Sequence, residues 1–291
     1  MSDLTLGIDV SDHIARLAIV SGEDVRAEGI VAANRAAAIR DAAKQAIASA
    51  KGRFGGVAVA LPAPSHAVPD DLIHALRGIG KGAPTAIAAG TAAAIAEQWR
   101  GAARGARQVI SLSIAEHVTA GVLVDGKAWR GAHGLASSVG WLAINPVERE
   151  DYRRLGALEA EVAAAGIVRR FVWRIKSGDE SSVSDRVKGD FSKIAATDIL
   201  QGARAGDGVA ISVVRDTARY IGMAVANLAT MFDPEVIVLG GSIASSGDIM
   251  LEAIRTETSR RLMPEQQDQV RIELSTLGDD AAAIGAARAV A

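Results

Sequence analysis

Cysteine is absent from the 291-residue sequence. Its absence excludes disulfides, thiol catalysis, iron–sulfur clusters and thiolate zinc sites in this chain. There is no excess of basic charge either: 32 Lys and Arg residues face 34 Asp and Glu residues, a formal net charge of −2. That balance is far from the footprint of a nucleic-acid-binding surface, and no direct nucleic-acid partner is expected. Long apolar runs are also missing. The stretch from Ile221 to Phe232 is interrupted by Gly222, Asn227 and Thr230, so it falls short of the ~18 to 20 continuous apolar residues of a membrane span. No basic segment followed by an apolar run and a cleavage site opens the chain. The expectation is a soluble cytoplasmic protein without membrane association.

Hydrophobic residues make up 49% and charged residues 23%, enough for a buried core and no basis for disorder. The length suits one large or two mid-sized domains, at ~100–200 residues each. Residues 4–10, 13–20 and 25–31 read as three consecutive strands, with turns at Ser11-Asp12 and at 21–24. Asn34 is placed to cap a helix running to about Ala50. A buried strand at 56–61 is ended by Pro62 and Pro64, and Asp70 starts a second helix. The pattern then recurs. A helix at 90–103 precedes strands at 109–114 and 118–124, with Asp125-Gly126 as a hairpin turn. Residues 156–176 read as one helix, and the polar stretch 177–184 as a mobile loop. Helices at 195–205 and 209–232, a strand at 236–239 closed by Gly240-Gly241, a helix at 248–261, a strand at 270–274 and a helix at 281–290 follow. Antiparallel strands, then a helix, a buried strand and a helix, occurring twice, indicate two related α/β halves.

The stretch Ala92-Ala93-Ala94-Ile95-Ala96-Glu97 to Arg104-Gly105-Ala106-Arg107, followed by a strand and Asp125-Gly126-Lys127, resembles the ROK family. Arg130-Gly131-Ala132-His133-Gly134, Ala205-Gly206-Asp207, Ala226-Asn227-Leu228 and Asp233-Pro234-Glu235 leading into Leu239-Gly240-Gly241 extend the resemblance. Leu277-Gly278-Asp279-Asp280-Ala281 with Ile284-Gly285-Ala286 closes it. It covers essentially the whole chain and is densest after about Val209. That family holds sugar kinases and sugar-responsive repressors. The resemblance implies an actin-like (hexokinase) α/β fold of duplicated ribonuclease-H-like domains, a sugar and a nucleotide meeting in an interdomain cleft, and a homodimer. The repressor branch carries a helix-turn-helix module before the first strand; here that strand begins at about Leu4, so none is expected.

A sugar kinase needs loops that admit phosphates, an acid beside the nucleophilic hydroxyl, and side chains that orient the sugar. The first phosphate loop of the family is Asp-x-Gly-Gly-Thr-Lys. This chain keeps Asp9, which resembles the metal-linked aspartate, but continues Val10-Ser11-Asp12-His13. Both glycines, with their freedom at φ > 0 and room for a phosphate, are gone. Ser11-Asp12 also reads as an ordinary solvated turn. In place of the second phosphate loop, Gly-Thr-Gly-Ile-Gly-Gly-Gly, stands Ala115-Glu116-His117-Val118-Thr119-Ala120-Gly121, in which only Gly121 matches. Asp12 and Glu116 set carboxylates where phosphate oxygens belong. Such like charges ~4 Å apart repel by about 1 kcal/mol in water and ~4 kcal/mol at a partly buried site.

The family's base aspartate corresponds to Ala89, and no acid lies between Asp71 and Glu97. A missing general base costs ~10²- to 10⁴-fold. Ser138 stands for the sugar-binding Glu, and Trp141 for a His that contacts sugar and ligates zinc. Without cysteines the family's zinc knuckle is lost. Trp141 either stacks on a ring or fills the vacated zinc space. Ala157-Leu158-Glu159 matches the end of the knuckle, leaving Glu159 as the retained sugar candidate beside Thr91; a helix N-terminal Glu favoured by the macrodipole is the plainer account. Gly240 and Gly241 match the nucleotide-side loop and also make an ordinary strand–helix turn. Asp12, His13, Glu116 and His117 on facing hairpins would make a metal site or Glu–His pairs, whereas His66, His74 and His133 show no partner spacing.

The expected domains are 1–114, completed by 280–291, and 115–279. The expected function is a non-catalytic pseudokinase that binds a small ligand, such as a sugar, or a protein partner, with no cofactor and no zinc. The alternative is an active hexose or N-acetylhexosamine kinase using Mg-ATP, with Asp9, Glu116 or Glu159 as replacement acid. A third reading is a different chemistry built on the hairpin carboxylates and histidines.

Overall fold

The computed structural model describes residues 3–10, 13–31, 35–50, 52–62 and 67–291. Its strands are β1 (Leu4–Asp9), β2 (Ala15–Ser21), β3 (Asp24–Val31), β4 (Phe54–Leu61), β5 (Thr85–Ala88), β6 (Val109–Ile114), β7 (Val118–Val124), β8 (Lys127–Ala128), β9 (Val236–Gly240) and β10 (Arg271–Leu274). Its helices are α1 (Ala36–Ala50), α2 (Asp70–Ala75), α3 (Ala89–Arg100), α4 (Glu150–Leu155), α5 (Ala157–Val162), α6 (Ala164–Lys176), α7 (Ser182–Arg186), α8 (Ala196–Arg204), α9 (Gly208–Phe232), α10 (Gly241–Ala244), α11 (Gly247–Ser259), α12 (Pro264–Gln267) and α13 (Ala281–Ala289). The strands form two five-stranded sheets, ordered β3-β2-β1-β4-β5 and β10-β9-β6-β7-β8. The turn at Ser11-Asp12, the Asn34 cap, Pro64 and His66 lie outside the described residues.

The chain divides into two compact units, one of Met1–Leu112, Thr119–Ser138 and Ser275–Ala291, the other of Ser113–Val118 and Val139–Leu274. In the first unit the expected meander forms, β1 pairing antiparallel with β2 and β2 with β3. β4 and β5 extend the sheet in parallel. β1 is buried along its whole length, as a strand covered on both faces must be. Leu4, Leu6 and Ile8 alternate onto one face and pack with Val57, Val59 and the apolar side of α1.

The other face is built for close approach. A methyl on Gly7 would lie 1.9 Å from the Ala283 carbonyl oxygen of α13, and one on Gly285 of α13 would lie 1.7 Å from the Ala92 oxygen of α3. Alanines fill the remaining contacts among these elements. Because α3 packs on α13, this small-residue seam sets where the first turn of α3 sits.

The second unit is helical around α9, a 25-residue helix packed by α11, α8, α5 and α6. Asp207 caps it, its Oδ1 accepting from Ala210 N at 2.9 Å. The other oxygen accepts from Ser181 Oγ and Ser182 N, each at 2.8 Å. These bonds overturn part of the loop expected at 177–184. Ser181 caps α7 through Val183 N, and Ser182–Arg186 is helical.

The single helix expected at 156–176 is two. Ala163 is extended (φ −68, ψ 162) between α5 and α6, and Gly166 just beyond it packs where a Cβ would stand 2.2 Å from the Ala160 oxygen. Two hydrogen bonds hold it as well: Ala164 N donates to the distant Ala115 O at 3.0 Å, and Arg169 Nη2 of α6 donates to Ala160 O of α5 at 2.9 Å. α4 also lies in a stretch with no helical expectation.

Candidate functional site

Ala89 is the first residue of α3, 3% exposed. The nearest following acid, Glu97, is buried on the same helix, and its Oε2 accepts from Ala102 N at 2.8 Å while Oε1 takes the Ser275 hydroxyl. Thr91, in the first turn of α3, lines a cleft of about 170 Å³ with Ala88, Trp129, Arg130 and Gly134. Gly131 and Gly134 hold φ of 69° and 72° there, a region open to glycine at little cost, and Ala136 N closes the loop onto Arg130 O at 3.1 Å. The Arg130–Gly134 motif marks this loop in the sequence, whereas only the fold brings Trp129 and Arg130 to the cleft beside Thr91. Gly121 faces α3 as well: its Cβ would stand 2.2 Å from Gly90 O. Backbone packing therefore explains this glycine without a phosphate.

In the second unit, Ala115, Glu116 and His117 form the turn between β6 and β7, with Glu116 and His117 exposed. Glu159 holds that turn. Its Oε2 accepts from Val118 N at 3.0 Å and its Oε1 lies 3.2 Å from His117 Nδ1. Ala115 N donates to His117 O at 3.0 Å. His117 thus pairs with Glu159. Among the described residues no three His, Asp or Glu side chains are placed to hold a metal ion, and Asp12 lies outside the described residues.

Trp141 is 58% exposed, which corrects the reading in which its indole fills a vacated zinc space. The reason is the tight approach beneath it, where a Cβ on Gly156 would stand 2.3 Å from Gly140 O and one on Gly140 would stand 3.3 Å from Glu159. Ser138 Oγ donates to Leu135 O at 2.8 Å. Gly241 has φ 83°, and a Cβ there would lie 2.5 Å from Ile114 O; this turn after β9 requires glycine for backbone reasons, and Gly240 precedes it as the last residue of β9. Asp9 is 6% exposed at the end of β1, in register with Arg16 of β2. His74 Nδ1 lies 2.6 Å from Asp70 O within α2.

A cluster that sequence reasoning missed lies two residues past Glu159. Glu161 is fully buried. Arg170 Nη1 donates to its Oε2 at 2.9 Å, Arg149 Nη1 to its Oε1 at 3.4 Å, and Tyr152 donates its hydroxyl to Oε1. Arg169 adds a guanidinium 3.7 Å away. Burial pulls Arg170 below its ordinary value while Glu161 opposes that shift. Burial and the bond to Glu161 push the Tyr152 hydroxyl up to about 12. Because the folded value lies above the ordinary ~10, this stabilisation is complete below pH ~10 and is lost as pH rises towards about 12. Urea midpoints should therefore fall more steeply through that window for the parent chain than for Tyr152→Phe; parallel curves would show that the hydroxyl does not matter.

Comparison with solved structures identifies the architecture. The chain superposes on a ROK family glucokinase from Streptomyces griseus, solved with glucose and AMPPNP, with a TM-score of 0.79 and 24% identity over 99% of both chains. It superposes on a ROK family transcriptional regulator, a homologue of the E. coli MLC protein, with a TM-score of 0.81 and 22% identity, over 99% of this chain and 77% of that one. The protein thus has the actin-like ATPase fold of sugar kinases. The sequence profile of the ROK family matches residues 83–291, and the chain belongs to the ROK family.

A glucokinase from Halalkalibacterium halodurans is 32% identical over 198 residues, 66% of this chain and 59% of that protein. A xylose repressor from Caldicellulosiruptor bescii is 30% identical over 202 residues, 67% of this chain and 48% of that one. The match thus spans about half to three-fifths of these relatives. Among the described residues, no helix is long and apolar enough to cross a membrane.

Proposed function

We propose that this chain is a pseudokinase of the ROK family, a scaffold that binds a small sugar-class ligand in a regulatory role without transferring phosphate to it. The observation that carries this reading is Ala89, buried at the start of α3 where the resemblance places the base. The following acid, Glu97, is committed to Ala102 N and Ser275. A methyl cannot accept the proton of an attacking hydroxyl, and that loss alone costs ~10²- to 10⁴-fold.

The β6–β7 turn supports the same reading. A phosphate cradle needs outward N–H groups, yet Ala115 N is bonded to His117 O and Val118 N to Glu159. Repulsion by the exposed Glu116 is the lesser effect, about 1 kcal/mol at ~4 Å in water. Ligand binding is assigned to the Thr91 cleft, where Trp129 offers a ring face and Arg130 a cation. At about 170 Å³ it is smaller than the ~300–1,000 Å³ of drug-sized sites and suits a monosaccharide.

Isothermal titration with Mg-ATP, alone and with a panel of hexoses and N-acetylhexosamines, tests the proposal. The expected result is no saturable heat from ATP up to millimolar concentration and no phosphorylated sugar. Micromolar ATP binding with turnover would restore the kinase alternative, with Asp9, Glu116 or Glu159 as the acid to examine.

A further inference from the structure

The side chains of the Thr91 cleft that can form hydrogen bonds are Thr91, Trp129 and Arg130; its other lining residues are alanine, isoleucine and glycine. No Asp, Glu, Asn or Gln is among them. Arginine and indole only donate, and a threonine hydroxyl donates or accepts, so these side chains are mostly donors. The hydroxyl groups of a neutral sugar call for acceptors as well, whereas this lining suits a ligand rich in acceptor oxygens. We infer that the cleft takes a sugar acid, a pyranose bearing a carboxylate such as a hexuronate, and that Arg130 meets the carboxylate. The inference rests on the assignment of ligand binding to the Thr91 cleft and is independent of whether phosphoryl transfer survives.

Arg130 carries the inference. It is exposed, and among the described residues no carboxylate pairs with it and no acceptor takes its guanidinium. Other arginines are committed: Arg149 and Arg170 to Glu161, and Arg16 to Asp279 and Asp280. The backbone fixes where the side chain of Arg130 starts. Trp129 N donates to Val122 O of β7 at 2.9 Å, and Arg130 O accepts from Ala136 N at 3.1 Å. Between those bonds the loop turns through Gly131 and Gly134, and Ser137 just beyond holds φ 70°. A serine keeps that conformation only where the surrounding structure imposes it, so the loop is held in one shape.

A carboxylate fits this single cation better than a phosphate does. One guanidinium presents a planar fork that matches a carboxylate through two parallel hydrogen bonds, and its single positive charge balances the carboxylate's −1. A phosphate monoester carries roughly −1.5 to −2 at neutral pH, and no second cation lines the cleft to meet the excess. The rest of the lining fits a sugar ring. Trp129 is 45% exposed and offers its indole to the apolar face of a pyranose, while the Thr91 hydroxyl can accept from a ring hydroxyl.

Titration of the full chain with glucuronate tests the assignment, against glucose, glucose 6-phosphate and acetate as separate arms. Glucuronate should bind about tenfold or more tighter than glucose, the effect of a charge-assisted hydrogen bond, and should weaken with added salt. Arg130→Gln should bring glucuronate close to glucose. Arg130→Lys, which keeps the charge but not the fork, should lose only part of the preference. Thr91→Val should weaken both sugars. Glucose binding as tightly as glucuronate, with both weakened by Thr91→Val, would overturn the sugar acid and leave the cleft as a sugar site. No saturation by either sugar at millimolar concentration, or no response of either to Thr91→Val, would remove the cleft as the ligand site and the inference with it. A preference that survives Arg130→Gln, tighter binding of glucose 6-phosphate, or acetate matching glucuronate would each overturn the inference.

Discussion

Replacing Glu161 with glutamine is expected to destabilise the fold by about 3–5 kcal/mol, the range for breaking a buried ion pair from one side. Glu161 is fully buried and takes Arg170, Arg149 and the Tyr152 hydroxyl. An amide offers no charge to Arg170, which is itself pinned between Glu161 and Thr217 of α9. Set against the ~5–15 kcal/mol stability of a typical domain, that loss is a large share of the total. Urea denaturation reads it directly. A second variant separates charge pairing from packing. Glu161→Gln with Arg170→Met removes the unpaired cation, and replacing both partners is often nearly neutral. The double variant should therefore recover most of the stability. A cost below about 1 kcal/mol for Glu161→Gln, or no recovery in the double variant, would show that the pair does not hold α5 to α6 and α9.

Gly285→Ala should also destabilise, by about 1–2 kcal/mol net of the helix-propensity gain, and here the sign is the test. In the interior of an ordinary helix this change stabilises by ~1 kcal/mol through helix propensity. In α13 the added methyl would stand 1.7 Å from the Ala92 carbonyl oxygen, so two helices must separate, and overpacking costs ~1–3 kcal/mol, occasionally more. Gly208→Ala is the matched control. It is the first residue of α9, and nothing lies within 4 Å of the place its added methyl would occupy, so its effect should stay within ~0.5 kcal/mol. Thermal melting of both variants settles the comparison. A stabilised Gly285→Ala would mean the α3–α13 seam yields easily. Because α3 carries Ala89 and Thr91, the same variant should also weaken ligand binding at the Thr91 cleft.

Some of this architecture was legible in the sequence. The limits of β6 and β7 coincide with the runs read as strands, since apolar alternation and an Asp-Gly turn are local signals. The α5–α6 break was not legible, because 156–176 is a continuous helical pattern. The oxygen of Ala115, which takes the Ala164 N–H and holds the break, comes from the distant turn between β6 and β7. The polar stretch at 177–184 looked like a loop for a similar reason: its anchor, Asp207, is more than twenty residues away. Likewise the exposure of Trp141 depends on how closely Gly140 and Gly156 approach.

The candidate site divides in the same way. Residue identity alone determined that no thiol chemistry operates in this chain, that an alanine at position 89 can accept no proton and that residue 116 brings a carboxylate. Those conclusions depend only on which functional groups the side chains carry. Tertiary structure decided the fates of Glu159 and Glu161. Two residues apart on a short helix, they cannot face the same neighbours. Glu159 closes the β6–β7 turn, whereas Glu161 is enclosed by arginines of α6 and the segment before α4. A carboxylate takes its role from the donors that surround it, and only the packing of distant segments brings those donors together.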